Sequence, residues 1–418
     1  PRIIEAASTC ANPDETLQRC TDLLETISRR AAYLALLDEH PQALARLAQL
    51  AGGSPWAAEY LRQHPIVLDE LLDVRALQSE SNWSAFGRLL RRQLADHSGD
   101  TERQIDLLRE AHQAQVFRLL AKDMGGTLSV EQLADELSDL ADVMLQVTLE
   151  TCWVNLHHRH LPFPRFAIIG YGKLGGKELG YASDLDIVFL HDDEDDQAPE
   201  IYTRFAQRLN NWLTLRSGAG VLFETDLRLR PDGDSGLLVS SVEAFRKYQR
   251  EAAWTWEHQA LTRARFCAGD ATVGAAFEAE RRQILGMKRD SAKLREEILE
   301  MRQKLLEGHP NRSDLFDIKH DRGGMIDIEF MVQYLVLANS HDFPSLQAND
   351  GNIALLQAAA SHGLIPVQDA QNIRAAYRAF RRRQHALRLA GERYARVPAK
   401  ELESHVNATM TLWKRLFG

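Results

Sequence analysis

The stretch FAIIGYGKLGGKELGYASDLDIVFL, residues 166–190, constrains the fold of this chain more than any other. It opens with a short apolar run, passes through a glycine-rich turn, and ends in a second apolar run. Two aspartates one residue apart, Asp184 and Asp186, begin that second run. Short β-branched runs bounded by glycine are typical of strands. The stretch therefore predicts two strands joined by a glycine-rich turn, with paired carboxylates where the second strand starts.

The spacing G-x-G-x-x-G, residues 170–175, is also the fingerprint of a dinucleotide-binding turn. In that fold a helix follows the third glycine, and the acid that binds ribose lies about 20 residues further on. Here eight residues separate Gly175 from Asp184, and Gly180 interrupts any helix between them. The Walker A motif does not match either, because Glu178 stands where Ser or Thr is required. We therefore look for a different use of these glycines.

The aspartates indicate a cation. Alternate side chains of a strand share a face, so Asp184 and Asp186 point the same way while Leu185 and Ile187 enter the core. Two like charges on one face repel each other unless a cation lies between them. Mg²⁺ takes one or two carboxylates together with substrate phosphates, and a glycine-rich turn lets backbone N–H groups approach an anion. The combination predicts a metal–triphosphate site.

A third strand candidate, VLFETDLRLR at residues 221–230, supplies further polar groups. Alternation places Glu224, Asp226, Arg228 and Arg230 on one face and apolar residues on the other. A third carboxylate and two arginines suit two metal ions and a polyphosphate. The alternative that stays open is a charged solvent face on an ordinary antiparallel strand.

Periodicity divides the chain into three regions. Residues 1–160 show apolar residues at helical spacing, residues 161–240 contain the short strands, and residues 241–418 return to helical spacing. The last region includes the block DIKHDRGGMIDIEF, which interrupts the helices. We therefore predict an α+β, mostly helical fold with a small mixed-sheet core between two helical regions.

Composition narrows the class of protein. The formal net charge of −9 disfavours a surface that binds nucleic acid, and no apolar run approaches the ~18 residues of a membrane helix. The start PRIIEAASTC lacks a signal-peptide pattern, and we expect a piece of a longer protein. The four cysteines are scattered without C-x-x-C spacing, so we expect reduced thiols in a cytoplasmic protein.

Three blocks together resemble a known family. The glycine-rich turn followed by D-h-D and a later third carboxylate is similar to the nucleotidyltransferase superfamily of the DNA polymerase β type. The amino-acid sequence of three longer blocks is more specific still, and it resembles the glutamine synthetase adenylyltransferase family. The blocks are GYGKLGGKELGYASDLDIVF, FETDLRLRPDGDSGLLVSS and FDIKHDRGGMIDIEFMVQYLVL.

The resemblance implies a function. Such enzymes are bifunctional, with one half that adds AMP to a tyrosine of glutamine synthetase and another half that removes it. This chain holds one copy of the motifs, and its first block looks more like the adenylylating half. The deadenylylating half, which releases ADP by phosphorolysis, and a regulatory module with a vestigial site are the alternatives. Glutamine, the PII signal protein and the other half of the enzyme are the further partners that the resemblance implies.

Site residues carry over to matching positions. Asp184, Asp186 and Asp226 would be catalytic and would hold two Mg²⁺ ions, with Mn²⁺ as an alternative and ATP as the substrate. Asp226 would bind the metal near the attacking oxygen and accept its proton. The triphosphate would be bound by Gly175, Gly176, Ser183 and Lys173. Arg228 and Arg230 would also bind it, with pairing of each arginine to a neighbouring acid as the alternative.

The block DIKHDRGGMIDIEF has two interpretations. It contains Lys319, Asp321, Asp327 and Glu329 around a Gly-Gly pair that leads into an apolar helix. One interpretation is a tight turn that caps the helix, and the other, from the resemblance, is packing near the active site. Sequence alone assigns these four residues no role.

Overall fold

The two strands expected around the glycine-rich turn are present in a computed structural model, which describes residues 2–28, 31–72 and 79–418. The chain forms two units. The first unit contains Pro1–Met144, Leu215–Leu222 and His385–Arg393, and the second contains Leu145–Thr214, Phe223–Gln384 and Tyr394–Gly418. The sequential division into three regions stays a prediction.

Helices build the first unit, as the periodicity of its sequence predicts. Proline in the first turn starts the helices Pro13–Ile27, Pro41–Gly53 and Pro55–Gln63, where its missing N–H costs no hydrogen bond. Asp100 caps the helix Thr101–Met124 by accepting a hydrogen bond from the backbone N–H of Arg103. The helices that begin in this part of the chain are α1 Arg2–Ser8, α2 Pro13–Ile27, α3 Ala31–Glu39, α4 Pro41–Gly53, α5 Pro55–Gln63, α6 Trp83–Asp96, α7 Thr101–Met124 and α8 Val130–Val154.

The segment LQRCTDLLETISRRAAYLALLDEH reads as continuously helical in sequence, but α2 ends at Ile27 and α3 begins at Ala31. Arg29 and Arg30, between the two helices, lie outside the described residues. The small buried side chains Cys20, Ala48 and Ala51 pack together where α2 meets α4.

A mixed sheet organises the second unit. Its strands are β1 Phe166–Gly170, β2 Leu185–His191, β3 Thr225–Asp226, β4 Val239–Ser241 and β5 Arg265–Gly269. Strand β1 runs antiparallel to both β2 and β5, whereas β3 and β4 run parallel to β2. The α+β, mostly helical fold with a small mixed sheet is therefore confirmed.

The third strand is much shorter than the alternation of residues 221–230 predicts. Only Thr225 and Asp226 pair with β2, and a turn follows at once. The Asp226 carboxylate accepts a hydrogen bond from the backbone N–H of Arg228 at 2.9 Å, which bends the chain away from the sheet. The prediction of a strand through Arg230 is thus wrong, because a local side-chain bond replaces the ladder.

Aromatic rings fix helix α10, Ala198–Thr214, against the sheet. The ring centroids of Phe166 on β1 and Phe189 on β2 are 5.5 Å apart. Tyr202 and Phe205 of α10 pack against Phe166 at 5.8 and 5.0 Å. All four side chains are buried, so α10 covers one face of the sheet behind the glycine-rich turn.

Further helices follow the glycine-rich turn and the strands. They are α9 Gly172–Gly175, α11 Val242–Glu251, α12 Thr255–Leu261, α13 Ala271–Leu285, α14 Ser291–Gly308, α15 Met325–Asn339, α16 Gly351–Ser361, α17 Val367–Leu389 and α18 Glu403–Phe417. A two-stranded ribbon joins β6 Phe316–Asp317 to β7 Arg396–Val397. Among the residues that the structure describes, no helix combines the length and the apolar character needed to span a bilayer.

A buried ion pair holds the DIKHDRGGMIDIEF block. Arg302 of α14 and Asp327 of α15 are both inaccessible to solvent, and the Arg302 Nε lies 2.5 Å from Asp327 Oδ1. The other oxygen of Asp327 accepts the backbone N–H of Gly323, and a second nitrogen of Arg302 donates to the carbonyl of His320. The pair therefore ties the Gly-Gly turn to two helices, which is the capping interpretation of this block.

Replacing one partner of this pair will leave the other buried without an opposite charge. We expect Arg302→Met to lower the free energy of unfolding by about 3–5 kcal/mol, because Asp327 keeps a buried, uncompensated charge. Arg302→Met combined with Asp327→Asn should lose less than the sum of the two single changes. Urea unfolding measures all three variants, with Lys304→Met, an exposed change on the same helix, as the control. Equal losses in Arg302→Met and the control would contradict this account.

Candidate functional site

Strand β1 leads directly into the glycine-rich turn, where Gly172 has a φ of +53°. A Cβ atom at this position would lie 2.2 Å from Oδ2 of Asp186, so a side chain here would displace the carboxylate. The backbone N–H of Tyr171 donates to the carbonyl of Asp186 at 2.8 Å. The turn and the carboxylate are therefore built against each other. Sequence reasoning quoted Gly172 within the motif but did not name it as a site residue.

Strand pairing brings the three predicted aspartates together. Asp184 immediately precedes β2, Asp186 is the second residue of β2, and the parallel register sets Asp226 of β3 opposite Asp186. Burial, followed by repulsion from Asp184 and Asp226, raises the pKa of Asp186 to about 6. The raised pKa is the expected result of desolvation and of like charges nearby, which together outweigh the opposing charges of Lys173 and Arg263.

Asp226 is the exception, because Arg228 neutralises it. The Arg228 Nε lies 2.9 Å from Oδ2 and 3.0 Å from Oδ1 of the Asp226 carboxylate, and Nη2 donates to Oδ2 as well. These hydrogen bonds lower the pKa of Asp226. The Arg228 side chain is 74% exposed, whereas that of Asp226 is 16% exposed, so the arginine reaches the acid from the solvent side.

The donor set suits a hard cation in its chemistry. Three carboxylates offer only oxygen, which Mg²⁺ and Mn²⁺ prefer. Within the described ranges, however, no three His, Cys, Asp or Glu side chains are arranged as ready ligands of one ion. Both carboxylate oxygens of Asp226 accept hydrogen bonds from Arg228. The three aspartates therefore fit a metal by the chemistry of their oxygens, while the present geometry pairs one of them with an arginine.

Lys173 and Ser183 lie beside the aspartates. The Lys173 ammonium is 3.5 Å from the Ser183 hydroxyl, which also accepts the backbone N–H of Gly180 at 3.0 Å. Much of the Lys173 side chain is exposed, but its ammonium lies among protein groups. Burial and then the charge of Lys319 lower the pKa of Lys173, while Asp184 acts in the opposite direction.

Gly175 and Gly176 have an internal role that the sequence did not reveal. Their backbone N–H groups donate to the carbonyls of Tyr171 and Gly172 within the turn. A Cβ on Gly175 would lie 1.9 Å from the carbonyl oxygen of Arg263, and one on Gly176 would lie 2.8 Å from the Arg263 Nε. Close approach of Arg263 therefore requires glycine at both positions. Contact of these two residues with a phosphate stays a prediction, and it requires the N–H groups to exchange their present partners.

Arg263 itself is held by two half-buried glutamates. Its guanidinium contacts Glu178 at 2.5 Å and Glu329 of α15 at 3.0 Å, and the Tyr377 hydroxyl donates to Glu178 at 2.8 Å. Burial opposes the charge on Arg263, but the two carboxylates outweigh it and raise the pKa of the guanidinium. In the sequence, Glu178 stood out only as a mismatch to the Walker A motif, and Arg263 was assigned no role.

Arg230 stabilises the turn after β3. Its Nη1 donates to the carbonyl of Leu227 at 2.8 Å and lies 3.4 Å from Asp234. The neighbouring-acid alternative is therefore the arrangement observed for Arg230, as it is for Arg228 with Asp226.

Neutralising Asp186 should stabilise the metal-free chain. Its pKa is higher in the folded state than the ordinary value of 3.8, so the folded chain binds more protons and loses stability as the pH rises from about 4 to about 6. Asp186→Asn does not ionise, and we expect a gain of about 1–3 kcal/mol at pH 7.5 that shrinks toward pH 4. Urea unfolding with a chelator at several pH values tests this, and a less stable variant at pH 7.5 would contradict it.

The second site prediction concerns Gly172. We expect Gly172→Ala to lose about 1–3 kcal/mol more than Gly363→Ala, because Gly172→Ala adds overpacking against Asp186 to the backbone strain. Gly363 is a matched control in the same unit, since its φ is +72° and a Cβ there would meet nothing within 4 Å. Free energies of unfolding of the two variants measure the difference. Equal losses would show that the turn does not press on the carboxylate.

Comparison with known proteins agrees with these motifs. The family model described as glutamate-ammonia ligase adenylyltransferase matches residues 44–280, and the model described as GlnD PII-uridylyltransferase matches residues 292–410. The bifunctional glutamine synthetase adenylyltransferase/adenylyl-removing enzyme of Aromatoleum aromaticum is 56% identical over the whole chain, which covers 44% of that protein. The proteins of the same name from Burkholderia mallei and Neisseria meningitidis serogroup A are 55% and 50% identical, with 46% of each covered.

The chain thus spans about half the length of the curated relatives it matches. The alignment with the Aromatoleum aromaticum protein extends over all 418 residues of the chain. The first of the two family models covers more than half of the chain and includes the glycine-rich turn, both strands and all three aspartates. The chain therefore belongs to the glutamate-ammonia ligase adenylyltransferase family.

Proposed function

We propose that this chain is the adenylylating half of such an enzyme and transfers AMP from ATP to a tyrosine hydroxyl of glutamine synthetase. The observation that carries the proposal is the pairing of Asp186 with Asp226 across β2 and β3, next to the glycine-rich turn. The coverage of under half of each relative supports one half of a bifunctional protein. The sequence of residues 170–189 resembles that of the adenylylating half, which supports this choice between the two halves.

The reaction moves one nucleotidyl group. The tyrosine oxygen bonds to the α-phosphorus of ATP, the bond from that phosphorus to the bridging oxygen breaks, and pyrophosphate leaves with the electron pair. The hydroxyl proton must pass to a base, because a tyrosine with a pKa near ~10 is mostly protonated at neutral pH.

Asp184, Asp186 and Asp226 are the residues that would hold two Mg²⁺ ions, or Mn²⁺ ions in their place. When bound, such ions offset the negative charge of the triphosphate and favour ionisation of the attacking hydroxyl. The raised pKa of Asp186 supports this assignment, since a carboxylate that resists ionisation alone gains most from a cation. Lys173, beside Ser183, would bind the phosphates.

Arg228 sets the state of the proposed base. While Arg228 is hydrogen-bonded to Asp226, the pKa of the Asp226 carboxyl is lowered. Asp226 is then a poor proton acceptor. The exposure of Arg228 leaves it free to turn outward, where a guanidinium can bind phosphate oxygens of the incoming nucleotide. We infer that Arg228 leaves Asp226 when ATP binds and pairs with a phosphate of the nucleotide. The Asp226 carboxylate is then free to accept a proton.

We further propose a cytoplasmic location and regulation by glutamine and the PII signal protein. These proposals rest on the family resemblance. A change in the AMP transfer rate when each effector is added to the complete bifunctional protein tests them.

Transfer itself is tested with unmodified glutamine synthetase, Mg²⁺ and ATP labelled at the α-phosphate. We expect label on a synthetase tyrosine, and a loss of about 10²-fold or more in Asp184→Asn and Asp226→Asn, because each removes a proposed metal ligand. Asp342→Asn, at an exposed aspartate, is the matched control and should keep the parent rate.

The outcome also separates the two halves. Release of ADP from adenylylated synthetase and orthophosphate, without the forward transfer, would replace the proposal by the deadenylylating activity. Inactivity in both assays of a chain that stays folded would favour a regulatory module.

A further inference from the structure

A tight turn between β6 and α15 presents one exposed cation. Lys319 lies two residues after β6, and its backbone N–H donates to the buried Asp317 carboxylate at 3.1 Å. Its carbonyl accepts the backbone N–H of Ile326 at 3.2 Å, in the first turn of α15. The backbone of Lys319 is therefore bonded on both sides while its side chain remains exposed.

Four buried or half-buried groups immobilise this turn. Asp321 accepts the backbone N–H of Asp317 at 2.8 Å and the side-chain amide of Asn311 at 2.8 Å. Arg302 donates to the carbonyl of His320 at 2.8 Å and pairs with Asp327, as described above. These hydrogen bonds fix the backbone of the turn, so the side chains on it project from a defined position.

The turn lies beside the glycine-rich turn. Glu329, one helical turn into α15, contacts Arg263 at 3.0 Å, and Arg263 packs under Gly176. Lys319 lies on the turn before α15 and Lys173 lies on the glycine-rich turn, so the contact of Glu329 with Arg263 joins two turns that each carry an ammonium group. The positive charge of Lys319 acts on Lys173 across this junction. Like charges that are held near each other mark a place where an anion lowers the energy of both.

We propose that Lys319 binds the β- and γ-phosphates of the nucleotide substrate together with Lys173. The assignment rests on the proposed function, and it gives the DIKHDRGGMIDIEF block a direct part in binding. The aspartates lie where the α-phosphorus must react, so the cations on the side of the glycine-rich turn are left for the pyrophosphate portion. An ammonium binds such oxygens as a compact point charge.

The extent of the second family match supports a phosphate ligand. Residues 292–410, which include Lys319, match a family whose description is PII-uridylyltransferase. Uridylyl and adenylyl transfer differ in the base and in the acceptor protein, whereas the phosphate chain is common to both donors. A residue in the shared segment is therefore better suited to the phosphates than to the base or the acceptor.

The experiment is equilibrium dialysis of the whole chain with three probes: ATP, inorganic tripolyphosphate and AMP, each with Mg²⁺. We expect Lys319→Gln to weaken binding of ATP and tripolyphosphate about tenfold and to leave AMP binding unchanged. Lys319→Arg keeps the charge and should restore most of the affinity. Lys304→Gln, at a lysine exposed on α14, is the matched control and should bind all three probes as the parent does.

The outcomes separate this assignment from the proposed function. A parent chain that binds ATP and tripolyphosphate, with Lys319→Gln equal to it, would overturn the role of Lys319 alone. Equal weakening of AMP and ATP would also overturn it, because the effect would then not come from the β- and γ-phosphates. A folded parent chain that binds none of the probes would overturn the proposed function as well. The thermal unfolding midpoint should be the same in Lys319→Gln and the parent, since the exchanged side chain is exposed.

Discussion

The guanidinium of Arg263 is the contact on which the candidate site depends most. It is buried between Glu178 and Glu329, and its backbone and side chain fill the space that side chains at residues 175 and 176 would occupy. Desolvation alone would make a buried arginine unfavourable, and two carboxylates with a tyrosine hydroxyl offset that cost. The glycine-rich turn, α15 and α17 therefore share one ionic anchor, so the shape of the turn depends on helices far away in sequence.

The three aspartates repel one another, whereas Arg263 is surrounded by opposite charges that stabilise it. Strand register forces Asp186 against Asp226, and burial with repulsion leaves Asp186 reluctant to ionise. The fold tolerates this unfavourable arrangement because the aromatic packing behind β1 and β2 stabilises the sheet independently of these charges. Local conflicts of this kind concentrate at functional sites, where a ligand supplies the missing partner. Arg228 offsets the charge of one of the three aspartates, Asp226.

The DIKHDRGGMIDIEF block combines the two interpretations that its sequence left open. Asp327 accepts the N–H of Gly323 and fixes the Gly-Gly turn, which is a capping role. Glu329 joins the Arg263 network, which brings the same block beside the glycine-rich turn. A charge-dense turn is consistent with either role in sequence, because the spacing of acids and glycines does not say which long-range partner each acid will meet.

Local sequence determined the parts of this protein that depend on local physics. The short apolar runs around Phe166–Gly170 and Leu185–His191 predicted both strands, and the D-x-D spacing predicted paired carboxylates, Asp184 and Asp186, where the second strand begins. Tertiary structure decided the rest. Arg263 meets Glu178 across 85 residues of chain, and no spacing rule reports that distance. The third strand ended early because Asp226 bonded its own neighbour instead of continuing the ladder, a competition between two hydrogen-bond partners that only the packed geometry resolves.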